Sequence, residues 1–214
     1  MKYKRIVTGI LETNGYVIYD ENALQAFIID PGDEGEKFSN YIEQNQLKPA
    51  GILLTHPHYD HIGALPFLRK RYACPIYIHQ ADIKVLKDPY ENRTIQNCEN
   101  PISEQANILL KDGDKIQAEG ISLEVIHTPG HTEGSVCFKV EGENMIFTGD
   151  TIFNIDLGRT DLPGGSPEAM KKSIQNKISK WPDEMMIYPG HGDPASMRFV
   201  RKYNIEFLEM LNRK

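Results

Sequence analysis

Gly51-Ile52-Leu53-Leu54-Thr55-His56-Pro57-His58-Tyr59-Asp60-His61 is the stretch from which the fold and the chemistry of this chain are read. Gly51 to Leu54 is a compact apolar run, too short for a helix of its own, and reads as a buried strand. It delivers the chain into four potential metal ligands within six residues, His56 to His61. In an extended segment residues i and i+2 project to the same side, so His56 and His58 can grip one metal. Pro57 fixes φ and suits a non-helical entry. Once the backbone bends into the next helix, Asp60 and His61 can reach a second metal nearby.

Three later segments supply what one loop lacks. His131 lies in Thr128-Pro129-Gly130-His131-Thr132, Asp150 ends Ile146-Phe147-Thr148-Gly149-Asp150, and His191 sits in Tyr188-Pro189-Gly190-His191-Gly192. Each follows an apolar strand-like run and has glycine beside it, which permits close backbone approach. Five histidines and two aspartates thus fall on four strand-ending loops, a set suited to a dinuclear site of imidazole and carboxylate. Loops at strand ends are where a rigid sheet presents functional side chains.

Around these loops, strand patterns are expected at Tyr16 to Tyr19, Ala26 to Ile29, Pro75 to His79, Lys115 to Gln117, Ser122 to Ile126, Ser135 to Val140, Asn144 to Thr148 and Met185 to Tyr188. Glu141-Gly142-Glu143 reads as a tight hairpin. Helices are expected over Glu34 to Gln44, Ile62 to Tyr72, Ala81 to Lys87, Glu168 to Lys180 and Met197 to Leu211. Asp88 to Gln105 is polar and aperiodic, either a functional loop over a site or an irregular surface excursion. Strands and helices alternate in two halves with no linker between them, so one α/β domain spanning residues 1–214 is expected.

The composition agrees. The chain has 214 residues, 40% hydrophobic and 25% charged, enough to bury a sizeable core and unlike a disordered or collagenous chain. A formal charge of -6 argues against a nucleic-acid partner. No apolar stretch approaches the roughly 20 residues of a membrane helix, and the N-terminus lacks the apolar core of a signal peptide. No membrane association and a cytoplasmic location are therefore expected. Cys74, Cys98 and Cys137 are far apart and odd in number, and read as reduced buried thiols. Asn92-Arg93-Thr94 fits a glycosylation sequon and is read as chance.

THPHYDHIGAL, HTPGHTEGS, FTGDTIF and YPGHG together resemble the signatures of the metallo-β-lactamase-fold superfamily, in order and in spacing, over essentially the whole chain. The resemblance implies a four-layer αββα sandwich with the metals at one edge of the sheets. It implies that His56, His58 and His131 bind a first metal, that Asp60, His61 and His191 bind a second, and that Asp150 bridges them. Two divalent ions, zinc foremost with iron and manganese as alternatives, are the implied cofactors. His127 is read as structural or as orienting a ligand from outside the coordination sphere, and Thr132, Ser135 and Thr151 as neighbours that orient ligands, a role ligating imidazoles usually require. His79 reads as an ordinary surface or packing residue.

Two metals commonly generate a bridging hydroxide and polarise an electrophile beside it, so hydrolysis is the natural reaction class, with Asp60 and Asp150 as the catalytic carboxylates. No G-x-S-x-G, Walker A or G-x-G-x-x-G pattern offers another route. A thiol of pKa about 8.5 leaves without a strong general acid, which favours a small-molecule thioester. Gly149 to Phe153 followed by Leu157-Gly158-Arg159-Thr160-Asp161-Leu162-Pro163-Gly164-Gly165 resembles the glyoxalase II branch, which hydrolyses S-D-lactoylglutathione, and in particular its short bacterial forms. By that resemblance Arg159 contacts a glutathione carboxylate, while Asp161 stands where glyoxalase II carries an aromatic residue. The helical C-terminal domain that completes the glutathione site in full-length enzymes is not expected here. The Gly-Arg-Thr-Asp run also resembles the persulfide dioxygenase branch, in which one iron is held by the equivalents of His56, His131 and Asp150. A lactamase or lactonase and a non-catalytic binding module are the remaining readings.

Overall fold

The computed structural model describes residues 1–212. Its first sheet takes β1 (Lys2–Thr8), β2 (Thr13–Tyr19), β3 (Gln25–Ile29), β4 (Lys48–Leu53), β5 (Ile76–His79) and β6 (Ile108–Leu110) in sequence order. Its second takes β7 (Lys115–Ala118), β8 (Ile121–His127), β9 (Val136–Val140), β10 (Met145–Gly149), β11 (Met186–Pro189) and β12 (Ala195–Ser196), also in order. The first sheet opens antiparallel (β1, β2, β3) and becomes parallel from β3 to β6. The second is antiparallel except for the parallel pair β10 and β11. The helices are α1 (Gly35–Gln44), α2 (Tyr59–Ile62), α3 (Leu65–Tyr72), α4 (Ile83–Lys87), α5 (Thr94–Asn97), α6 (Pro167–Asn176), α7 (Met197–Tyr203) and α8 (Ile205–Asn212).

The two-residue side-chain period of a strand generates the layers. On β2 and β3, Tyr16, Ile18, Phe27 and Ile29 point inward to meet Leu123, Val125, Phe138 and Phe147 of the second sheet. The alternate residues Val17, Ala26 and Ile28 face outward against Phe38 and Ile42 of α1 and Leu65 and Leu68 of α3. The second sheet does the same: Cys137, Ile146 and Ile187 face Met170 and Ile174 of α6, Met197 and Val200 of α7 and Phe207 of α8. Three apolar layers separate four layers of backbone, which is the expected αββα sandwich in a single α/β unit.

Several expectations need correction. The helix expected over Ile62 to Tyr72 is two helices, α2 and α3, because Pro66 occupies the first turn of α3, where a missing N–H costs nothing. The helix expected to Lys180 ends at Asn176 and continues only as a 3₁₀ turn, Ile178–Lys180. The single terminal helix divides at Asn204, a fully buried residue. Its amide donates to the carbonyls of Phe153 and Asp156, and its Oδ1 accepts from Phe207 N, the start of α8. Strands β1, β6 and β12 carry too few apolar alternations to be read from sequence. Asp88 to Gln105 contains α5 and is anchored by Asn92, whose buried amide donates to the Leu86 and Ile102 carbonyls. That burial removes Asn92 from any glycosylating enzyme. Cys74 and Cys137 are buried free thiols as expected, but Cys98 is only half-buried. Among the described residues no helix is long and apolar enough to cross a membrane.

Candidate metal centre

All seven sequence-derived ligand positions converge at one edge of the sandwich. The loop after β4 supplies His56 and His58, and α2 at its end supplies Asp60 and His61; the residues after β8, β10 and β11 supply His131, Asp150 and His191. Because β4 belongs to one sheet and the other three strands to the second, the cluster exists only when the two sheets face each other. Gly190 makes the approach possible. A Cβ there would stand 2.2 Å from Asp150 Oδ1 and 2.6 Å from His61 Cε1.

Two groups of donors form. His58 Nδ1 lies 2.8 Å from His131 Nε2, which lies 3.2 Å from His56 Nε2. In the second group His191 Nε2 lies 3.1 Å and His61 Nε2 3.4 Å from Asp60 Oδ2. Asp150 spans both: its Oδ1 is 3.3 Å from His61 Nε2, and its Oδ2 is 3.5 Å from His191 Nε2 and 3.7 Å from His131 Nε2. His56, His58 and His131, and likewise Asp60, His61 and His191, are each close enough to share one ion.

The far side of four of the five rings is already engaged. Nδ1 of His56 meets Thr55 Oγ1 at 3.1 Å, Nδ1 of His61 meets Asp30 Oδ2 at 3.1 Å, Nδ1 of His131 meets the Arg159 carbonyl at 2.8 Å, and Nδ1 of His191 meets the Leu11 carbonyl at 3.1 Å. Each of these partners accepts a proton from Nδ1, since the Thr55 hydroxyl gives its own to Asp30 Oδ2 at 2.5 Å. The Nε2 lone pairs are thereby turned toward one another and toward carboxylates. His61 Nε2 and Asp150 Oδ1 are buried and have no hydrogen-bond partner among the described residues. Ring-nitrogen lone pairs and carboxylates turned on one another call for a cation between them, a proton or a metal ion, so the donor set fits divalent metal ions.

Electrostatics of the bare cluster point the same way. Burial drives His56 well below, and His58 down to about 3, so both imidazoles are neutral. Burial alone would also lower His61 and His191. The neighbouring Asp150 and Asp60 overcome it, raising His61 well above its ordinary value and His191 to about 9. Burial would raise Asp60 and Asp150, but His61 and His191 hold both carboxylates ionised. Protons on two imidazoles thus neutralise the carboxylates when no cation does. Metal binding near neutral pH is therefore expected to release protons, and apparent affinity should rise with pH until His191 deprotonates at about 9. Calorimetric titration in two buffers of different ionisation heat measures the release; binding without it would show the imidazoles to be neutral beforehand.

Four supporting groups escaped the sequence reading or took other roles. Asp30, read only as part of a turn, is 2% exposed and accepts from Thr55 N, Thr55 Oγ1 and His61 Nδ1. Its place at the end of β3, in Ile29-Asp30-Pro31-Gly32, was the available signal. Asp82 is fully buried, its carboxyl pushed up to about 6 by that burial. It accepts from Thr132 Oγ1 at 2.6 Å and Gly134 N at 2.8 Å, tying down the loop behind His131. Thr132 accordingly holds backbone next to a ligand rather than a ligand ring. His127 takes the structural one of its two expected roles: its ring stacks on His79 at 4.0 Å and its Nε2 meets the Glu133 carbonyl, which joins loops and orients no imidazole of the cluster.

Arg159 lines the cleft above the cluster, but its guanidinium is bidentate to Asp161 at 2.7 and 2.8 Å. Its main-chain carbonyl, not its charge, touches the centre. The cleft has a volume of about 500 Å³, floored by His58, Asp60, His131, Asp150 and His191 and walled by Leu11, Phe153, Ile155 and Leu162.

Residues 8–191 match the model of the Metallo-beta-lactamase superfamily. The chain belongs to this superfamily. This metallo-beta-lactamase superfamily member is 36% identical over 197 residues to the probable metallo-hydrolase YqgX of Bacillus subtilis, covering 90% of both chains. It is 31% identical over 208 residues to the hydroxyacylglutathione hydrolase GloC of Haemophilus influenzae, covering 95% of this chain and 97% of that one. Among solved structures it is similar to the BLEG-1 B3 metallo-beta-lactamase, with a TM-score of 0.90, 34% identity and coverage of 99% and 100%. It is also similar to TTHA1623 in a di-iron-bound form, with a TM-score of 0.82, 31% identity and coverage of 94% and 98%. The ETHE1 protein from Myxococcus xanthus follows at a TM-score of 0.80 and 26% identity, covering 95% of this chain and 83% of that one. Membership, together with the His and Asp clusters, makes this a metallo-hydrolase-type protein with a site for divalent metal ions.

Proposed function

We propose that this superfamily member is a dinuclear metal-dependent hydrolase of small-molecule thioesters. The observation that carries the two-metal reading is Asp150, whose carboxylate reaches both imidazole groups: its Oδ1 faces His61, and its Oδ2 faces both His191 and His131. His56, His58 and His131 would hold one ion, Asp60, His61 and His191 the other, with Asp150 shared. Divalent ions bound there, zinc in the first instance, supply Lewis acidity and a water acidified to near neutrality.

The chain's own residues do the rest. Asp60 and Asp150 are held as carboxylates, so they can orient a water and take up its proton. Thr13 Oγ1 donates at 3.1 Å to Asp60 Oδ2, the same oxygen that faces His61 and His191, and holds that carboxylate in place. The apolar walls Leu11, Phe153, Ile155 and Leu162 exclude bulk water from a substrate carbonyl and strengthen every charge interaction at the floor. A thiolate leaving group, of pKa about 8.5, needs no strong acid beside it. The likeness to GloC supports the thioester class. The likeness to BLEG-1 supports testing lactams beside it.

The test is metal content of protein isolated without added metal, joined to turnover on thioesters including S-D-lactoylglutathione, a β-lactam, and oxygen uptake on glutathione persulfide. Two metals per chain with thioester turnover well above lactam turnover is the expected result. One iron per chain with rapid oxygen uptake would overturn it in favour of a mononuclear persulfide dioxygenase. Lactam turnover exceeding thioester turnover would assign a lactamase.

A further inference from the structure

Two arginines reach the cleft above the metal centre, and the structure distinguishes them sharply. Arg159 is matched by Asp161 in a two-bond pair, and both side chains are more than 60% exposed. An arginine already bound bidentately by a carboxylate of its own chain has little left for a second. Arg93 also lines the cleft, and among the described residues its guanidinium has neither an ion-pair nor a hydrogen-bond partner. Its charge reaches Tyr59 and Asp161 only at longer range.

The backbone beneath Arg93 is held firmly. Arg93 takes a left-handed conformation, φ 67° and ψ 14°, which a side-chain-bearing residue adopts at a cost. The flanking residues enforce it. Asn92 is fully buried with its amide on two carbonyls, and the Thr94 hydroxyl, also fully buried, meets Asn92 Oδ1 at 2.7 Å. Arg93 N reaches the Tyr90 carbonyl at 3.2 Å, and the Arg93 carbonyl accepts from Asn97 Nδ2 at 2.8 Å. Strained backbone persists where surrounding structure over-determines it, and such positions cluster at ligand-binding sites. The cleft's other non-ligand charge, Asp156, sits among Glu206, Asp150 and His191 rather than beside Arg93.

We propose that Arg93 is the specificity-determining residue of this cleft, binding a carboxylate carried by the substrate away from its reacting carbonyl. The proposal rests on the thioester reading for the substrate's reacting group, but not for the anion site itself. A guanidinium offers two parallel N–H donors to a carboxylate, and a partly desolvated pair of this kind is stronger than one in open water. Arg159 then serves the site through its carbonyl on His131, with Asp161 keeping its charge out of the contest.

The test uses the metal-loaded full chain and the variants Arg93→Met, Arg93→Lys and Arg159→Met. S-acetyl-N-acetylcysteine places a carboxylate on the thiol side, S-succinyl-N-acetylcysteine methyl ester places it on the acyl side, and S-acetyl-N-acetylcysteine methyl ester carries none. Arg93→Met should raise KM for one of the two carboxylates roughly ten- to a hundredfold with kcat little changed, and leave the neutral ester within about twofold. Arg93→Lys should restore part of the loss, while Arg159→Met should keep the wild-type discrimination between charged and neutral esters. Calorimetric binding of the thioethers S-ethyl-N-acetylcysteine and S-(3-carboxypropyl)-N-acetylcysteine methyl ester reads the anion site without turnover. Loss of thioether binding in Arg93→Met would uphold the inference even if every thioester proved inert, a result that would sink only the thioesterase reading. Equal effects on charged and neutral probes, or carboxylate discrimination lost in Arg159→Met and kept in Arg93→Met, would overturn it.

Discussion

Asp150→Asn should leave a folded chain that holds fewer than two metal ions and has lost nearly all hydrolytic turnover. The substitution keeps the shape and removes the charge that both donor groups share. Asp150 is the only one of the seven positions whose oxygens face His61 and His191 on one side and His131 on the other. An amide there carries no charge, offers one oxygen instead of two, and turns N–H donors toward a ring nitrogen whose lone pair a metal ion would otherwise take. Changes to groups that merely orient a ligand typically cost 10- to 100-fold in metal affinity or activity, so loss of a shared direct donor should exceed about a hundredfold. Metal analysis after dialysis, circular dichroism and turnover under saturating metal check this together. A variant that keeps two ions and full turnover would remove Asp150 from the centre.

Asp30→Ala should unfold at markedly lower denaturant concentration and bind metal more weakly. Three donors lose their acceptor together: Thr55 N, Thr55 Oγ1 and His61 Nδ1, all in a residue environment at most 2% exposed. Each buried unsatisfied donor costs about 1 to 3 kcal/mol, so a loss of about 3 kcal/mol or more is expected, a large share of a typical domain's stability. Asp30→Asn separates the two consequences. It keeps the volume and one acceptor for Thr55 N, but turns an amide N–H₂ toward the Thr55 hydroxyl and His61. Its stability should recover in part while metal affinity stays roughly ten- to a hundredfold down. Urea unfolding and metal titration give the two numbers; unchanged metal affinity in both variants would show that His61 needs no orientation from Asp30.

These two aspartates mark the boundary between what was legible in the chain and what was not. Asp150 was legible because it closes an apolar run and stands next to glycine in a phrase that repeats the pattern of the other ligand loops. Asp30 has the same setting at the end of β3, but its loop carries no histidine, so turn chemistry explained it sufficiently. Asp82 had no signal at all: its partners Thr132 and Gly134 lie 50 and 52 positions away. The strands that are compact apolar runs, β2, β3, β9 and β10, and the alternating β8 were readable, whereas β1, β6 and β12 borrow their order from neighbours. The final helix looked continuous because Phe199, Tyr203, Phe207 and Leu211 keep helical spacing across a break imposed from outside by the Phe153 and Asp156 carbonyls.

The amino-acid sequence by itself determined the fold class, the strand-loop settings and all seven side chains that face one another at the sheet edge. It could do so because metal ligation needs particular residue types in short local patterns. Tertiary structure alone decided how those side chains are held and which arginine is free. The Leu11 and Arg159 carbonyls that turn His191 and His131 are backbone groups, which any residue would present and no motif can mark. Whether a guanidinium is available depends on where the nearest carboxylate folds: Asp161 closes on Arg159, and nothing closes on Arg93 among the described residues.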